Sequence, residues 1–136
     1  MKIITLFLAG FVLFAMSSCK KIEGPGGSST IQGSVYIINK NAAGAVISEY
    51  LAPKEDVFIV YGDGDVSFDD DVKTSYDGTF KFTGLEEGNY TVFVYEDCNS
   101  CASGKQALLY PVEITEKKST VDLGTITIIK WEYSLA

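Results

Sequence analysis

From Ile31 onward the chain alternates short apolar runs with turn residues, and the runs have the two-residue period of strands. Ile31 to Ile38 (IQGSVYII) puts Ile31, Gly33, Val35 and Ile37 on one face. Val57 to Tyr61 (VFIVY) is apolar without a break, which predicts a strand covered on both faces. Val72 to Ser75 is a short strand candidate. Thr79 to Phe82 sets Phe80 and Phe82 on one side. Tyr90 to Tyr95 sets Tyr90, Val92 and Val94 opposite Thr91, Phe93 and Tyr95. Ala107 to Thr115 and Ser119 to Ile129 complete the set. Val, Ile, Thr, Tyr and Phe dominate these runs, as pleated surfaces favour. Asn41 to Ala52 has room for a short helical turn, but nothing there repeats at helical spacing. About seven short strands in roughly a hundred residues predict an all-β, Greek-key β-sandwich.

The first residues have a different texture. Lys2 opens the chain, Ile3 to Met16 is an apolar run, and Ser17, Ser18 and Cys19 follow at once. A positive start, a short apolar core and small residues at a cut site make a secretory signal. The run is too short for a comfortable membrane span. With the cysteine directly after the small pair, the stretch resembles a bacterial lipoprotein signal. That likeness implies cleavage after residue 18 and acylation of Cys19, with the chain held at the outer membrane or cell surface. An ordinary cleaved signal, with Cys19 free or paired, is the alternative. Residues 20–30 (KKIEGPGGSST) are rich in Gly, Pro and Ser and read as a flexible tether over 19–30. The sandwich is then expected over 31–130, with a tail over 131–136.

The balance of 11 basic against 18 acidic residues gives a net charge of −7, and the basic residues are all Lys. An acidic surface repels nucleic-acid phosphates and anionic lipid heads alike, so nucleic acid is not an expected partner. The absence of His removes the commonest general base and transition-metal ligand.

Asp77 to Val94 (DGTFKFTGLEEGNYTVFV) sharpens the fold. Asp77-Gly78, Phe80, Phe82, Leu85, Gly88, Tyr90, Val92 and Val94 follow the core pattern of carboxypeptidase-regulatory-like and Cna B-type domains, which this segment resembles. The opening Ile31-x-Gly-x-Val35 is similar to the first strand of that group, and the whole arrangement looks like small acidic lipoproteins of Bacteroidetes-type bacteria. The likeness implies a transthyretin-like sandwich and a non-catalytic module. Within the pattern, Asp77-Gly78 supplies the positive backbone angle of a tight turn. Phe80 and Phe82 enter the core, Leu85 pins the connecting loop, and Gly88 reverses the chain. The internal isopeptide bond of some Cna B-type domains is not expected, because Thr125 to Ile129 offers no Asn and Lys40 follows the first strand.

Three groups of residues could carry chemistry. Asp63, Asp65, Ser67, Asp69 and Asp71 fall at alternate positions in YGDGDVSFDDD, and oxygen donors at such spacing can hold calcium. The EF-hand pattern is not met: Val66 stands in place of its Gly and Thr74 in place of its last Glu. A solvated acidic loop is the plainer reading. Cys98 and Cys101 form a CxxC pair; in an exported chain it predicts a local disulfide that stiffens its own loop. Zinc would need further ligands, and no βαβ pattern supports a thioredoxin site. Finally Phe68, Trp131 and Tyr133 lie where an aromatic can be exposed to stack on a sugar or meet a protein.

Serines are present without a His base or a Gly-x-Ser-x-Gly elbow. Paired carboxylates admit glycoside hydrolysis by residue type alone, a reading ranked far below the others. The expected role is a non-catalytic binding or structural module of the cell envelope, anchored by lipid, with an envelope protein or glycan as partner. The alternative is a calcium-dependent adhesion or glycan-binding module using the Asp63 to Asp71 loop. No other cofactor is expected.

Overall fold

The computed structural model describes residues 22–63 and 67–132; the leader over 1–18, Cys19, Asp65 and Tyr133 lie outside them. Among the described residues no helix forms and eight strands do. They are β1 (Pro25–Asn41), β2 (Val46–Leu51), β3 (Asp56–Tyr61), β4 (Asp70–Lys73), β5 (Thr79–Leu85), β6 (Gly88–Asp97), β7 (Lys105–Ile114) and β8 (Thr120–Glu132).

Two four-stranded sheets face one another. In the first, the 17-residue β1 is central. β8 runs parallel to it along one side, from Thr30↔Thr120 to Asn41↔Glu132. Along its other side lie β5 and β2, end to end, both antiparallel to it. The second sheet has the order β4-β3-β6-β7 and is antiparallel throughout. The steps β2 to β3, β4 to β5, β5 to β6 and β7 to β8 each cross between sheets.

The alternation read in the sequence is what fills the space between them. Ile31, Val35 and Ile37 of β1, Phe80, Phe82 and Leu85 of β5, and Ile126 and Ile128 of β8 are buried from one side. Val57 and Ile59 of β3, Tyr90, Val92 and Val94 of β6, and Val112 and Ile114 of β7 meet them from the other. Burying a side chain of this size stabilises by roughly 1.5–3 kcal/mol, so this row dominates the favourable side of folding.

Three expectations are corrected. Asn41 to Ala52 holds strand β2 and no helical turn. The Asn41 carboxamide oxygen accepts from the amides of Ala43 and Ala45, both at 3.0 Å, and closes a hairpin through Gly44 at φ 84°. All six β2 residues are exposed, so no apolar period marks them as a strand. The strand count is therefore eight.

The tether is also shorter than expected, because β1 begins at Pro25. Its Gly and Ser content serves close packing. A Cβ on Gly27 would lie 2.0 Å from the Leu85 carbonyl oxygen. Ser29 is 1 % exposed; its hydroxyl donates to the Glu116 carbonyl at 2.9 Å and accepts from the Ser119 amide. At the far end β8 runs to Glu132, so Trp131 belongs to a strand and not to a tail.

Asp77-Gly78 does adopt the positive angle, with Gly78 at φ 81°. The Asp77 carboxylate accepts from the Thr79 hydroxyl at 2.7 Å and the Thr79 amide at 3.2 Å, and these bonds hold its pKa below the usual value. The turn carries the chain from one sheet to the other instead of closing a hairpin within one.

Candidate functional site

The outer face of the second sheet is where the sequence departs from what water would favour. An antiparallel sheet with one solvated face should alternate apolar and polar residues. β3 and β6 instead place Phe58, Val60, Phe93 and Tyr95 on the side away from the core. Phe58 pairs in register with Phe93, and their rings stack 5.0 Å apart at 18°. Tyr95 meets both edge-on, 5.6 Å from each. Such offset and edge contacts are the arrangements ring quadrupoles prefer.

Phe68 completes the cluster from the β3–β4 loop, 4.7 Å from Phe58. Two bonds bend this loop back over the sheet. The Asp69 amide donates to the Ile59 carbonyl at 2.9 Å, and the Asp69 carboxylate accepts from the Tyr61 amide at 2.7 Å. Phe93 is 8 % and Val60 9 % exposed, so the centre of the patch is covered. The rim is open: Phe68 is 47 %, Tyr95 48 % and Leu109 62 % exposed. Leu109 sits opposite Phe93 on β7, with Ala107 and Pro111 in line along the same face.

Charge surrounds this apolar centre. Asp69, Asp70 and Asp71 are exposed beside Phe68. Lys73 is bonded to Asp56 at 2.6 Å, and Lys105 is paired with Asp97, so two of the nearby ammonium groups are neutralised locally. The Tyr61 hydroxyl is pushed above its usual pKa by burial, then by the charges of Asp70 and Asp69 and by Tyr90.

The candidate residues are dispersed by this arrangement. Phe68 joins the cluster. Trp131 lies on β8 in the other sheet, half-buried, with the Lys40 ammonium 5.9 Å from its ring centre. Asp63 and Ser67 are exposed in the loop, Asp69 is committed to the Tyr61 amide, and Asp71 pairs with Phe58 on β4. Among the described residues no three acidic side chains converge as a metal site. Cys98 and Cys101 are bridged, with their Cα atoms 5.3 Å apart, in a β6–β7 loop closed by the Cys98 amide on the Gly104 carbonyl.

A shallow groove on the outer face of the first sheet is lined by Gln32, Ser34, Lys81, Asp122 and Thr125 among others. Its polar groups are largely engaged with one another. Gln32 donates to Asp122 at 3.2 Å, Ser34 and Thr125 share a bond of 3.0 Å, and Gly124 donates to Asp122 at 2.7 Å.

No family model and no curated protein matches the chain. Among solved structures it is similar to a candidate carbohydrate-binding protein from Pseudomonas aeruginosa, at 14% identity and a TM-score of 0.45, covering 78% of this chain and 90% of that one. It is similar to an (S)-allantoin synthase at 9% identity and a TM-score of 0.38, covering 76% of this chain and 42% of that one. It is also similar to a DUF3823 family protein from Bacteroides uniformis at 23% identity and a TM-score of 0.28, covering 77% and 42%. At such scores no residue role transfers to this chain.

Proposed function

We propose that this chain is a non-catalytic binding module of the cell envelope, anchored through Cys19, and that it docks a protein partner on the outer face of its second sheet. The observation that carries this is the row Phe58, Phe93 and Leu109 across β3, β6 and β7, extended by Phe68 from the β3–β4 loop, where a solvated sheet face should be polar. Contiguous exposed apolar surface rimmed by polar groups is the mark of an interaction site. The exposed members are mixed. Phe68 and Tyr95 could stack on a sugar, but Leu109, Ala107 and Pro111 gain little from one and much from an apolar protein surface. The two exposed rings, Phe68 and Tyr95, lie at 53° and 71° to Phe58, so neither extends the plane of the stacked Phe58–Phe93 pair into a flat platform.

The acidic loop selects the partner's charge. Asp69, Asp70 and Asp71 favour a surface whose apolar centre is ringed by Lys or Arg. A second copy would set two acidic rims against each other.

A photo-crosslinking residue at Leu109 in the producing cells tests this. A discrete protein adduct is expected that weakens with salt and vanishes in the Phe68→Ser/Tyr95→Ser variant. The same residue at Tyr76, 90 % exposed in the β4–β5 turn, should give none. No adduct at Leu109, or equal adducts at both sites, overturns the proposal. A self-adduct assigns the face to a second copy. Binding to a soluble glycan panel that the double variant loses assigns it to sugar.

A further inference from the structure

The N-terminal end of the domain is fixed more firmly than a tether would require. The Gly24 amide donates to the Tyr90 hydroxyl at 2.9 Å, and the Gly24 carbonyl accepts from the Glu86 amide at 2.9 Å. The Glu23 side chain packs on Gly88, where a Cβ would come within 2.3 Å of its Cγ. Ile22, one residue earlier, is 78 % exposed. The chain therefore enters the domain at one defined point. That point lies at the end of the sandwich formed by the β5–β6 turn (Glu86, Glu87), the β7–β8 turn (Glu116, Lys117, Lys118) and Gly62.

The opposite end carries the β1–β2 hairpin, the Cys98–Cys101 loop and Trp131. The ten residues of β6 separate the two ends by roughly 33 Å at the rise of a strand. Cys19 precedes Gly24 by only five positions, a covalent reach of at most about 18 Å. The link is thus shorter than the domain is long. The entry end has four carboxylates (Glu23, Glu86, Glu87 and Glu116) against Lys117 and Lys118. Lys20 and Lys21 in the link bring the basic residues there to four, so the entry end with its link has no excess of negative charge to repel it from anionic lipid.

We infer that the domain stands upright on a short stem, its Gly24 end toward the membrane, so that its docking face is perpendicular to the bilayer and meets a partner held at the same membrane. This rests on acylation of Cys19 and not on the identity of the partner. The face lies between the two ends, so a partner reaching it must itself sit close to the lipid surface.

Trp131 is the only tryptophan and marks the far end. The lipidated protein is reconstituted in phosphatidylethanolamine–phosphatidylglycerol vesicles bearing a headgroup-dansylated lipid. Energy transfer from Trp131 should be weak, and transfer from the Trp131→Phe/Lys117→Trp variant several-fold stronger. A long Gly-Ser insertion between Lys21 and Ile22 should erase the difference. Equal or stronger transfer from Trp131 overturns the upright arrangement. Failure of the protein to float with the vesicles overturns the acylation on which it depends, and leaves the crosslinking result at Leu109 to be judged by itself.

Discussion

The hydroxyl of Tyr90 and the amide of Gly24, 66 residues apart in sequence, lie 2.9 Å from one another and are buried. The same hydroxyl donates to the Glu86 carbonyl at 2.6 Å. One phenol thus joins the chain entry, the β5–β6 turn and the core, because the Tyr90 ring itself is 2 % exposed. Tyr90→Phe keeps the ring and removes both bonds, leaving a buried amide without an acceptor. The expected loss is about 1–3 kcal/mol, read as a lower urea midpoint with unchanged m-value. It should also release Gly24, seen as faster amide exchange at that residue. An unchanged midpoint would show that the bond contributes nothing net.

Alkali should unfold the domain through the same region. Burial is the largest cause raising the Tyr90 pKa; the Gly24 hydrogen bond opposes it and the charges of Glu23 and Glu86 add to it. Tyr61 is raised as well, again first by burial. A group whose folded pKa exceeds its unfolded value contributes stability that is whole below the unfolded pKa of 10.0 and is lost as pH climbs through the folded value. Stability should therefore fall with rising pH from about 10 upward. Tyr90→Phe should flatten that slope. An identical slope in wild type and variant would place the alkaline transition elsewhere.

Gly27 should tolerate no side chain. A Cβ there would sit 2.0 Å from the Leu85 oxygen and 2.4 Å from the Glu86 nitrogen, both backbone atoms that cannot move aside. Gly27→Ala should cost more than about 3 kcal/mol or prevent folding, beyond the usual range for a single change. Gly44→Ala is the comparison, since nothing lies within 4 Å of its added Cβ and only its φ of 84° is strained. It should cost about 1 kcal/mol. Melting temperatures of the two variants check the contrast; similar values would mean that β1 can shift away from β5.

These glycines show where the sequence was readable. Alternation marked strands whose one face is buried, so β1, β5 and β6 were legible from Ile, Val, Phe and Tyr spacing, while β3 showed as an unbroken apolar run and β4, β7 and β8 showed by their strand-favouring composition. β2 was not, because Val46, Ile47, Tyr50 and Leu51 are all exposed and no burial imposes a period on them. Pro25 to Ser29 was misread for the opposite reason. Small residues that let two backbones touch have the composition of a flexible linker. The outer aromatic face was half legible. VFIVY showed a strand without a polar side, but only the fold reveals that Phe68, seven residues beyond Tyr61, returns to cover Phe58. Phe68 and Trp131, expected to share one role as exposed aromatics, lie against different sheets, Phe68 packed on β3 of the second and Trp131 on β8 of the first, which no local spacing could have indicated.

The return of Phe68 onto Phe58 yields the last prediction, because it separates loop packing from docking. Ring pairs at this distance are worth about 0.5–1.5 kcal/mol beyond the area they bury. A double-mutant cycle with Phe68→Ala and Phe58→Ala should give a coupling energy in that range, since the rings touch. Phe68→Ala alone should free the loop segment 67–69 from the sheet, and limited proteolysis should then cut within 67–69 while the rest of the described domain resists. Tyr95→Ser is the control. Tyr95 contacts Phe58 and Phe93 but lies on β6, away from the loop, so the loop should stay protected. If Phe68→Ala leaves the loop resistant and the coupling is near zero, the aromatic is merely resting on the sheet. The loop would then be held by the Asp69 bonds to Ile59 and Tyr61, which Asp69→Ala would reveal by the same digestion.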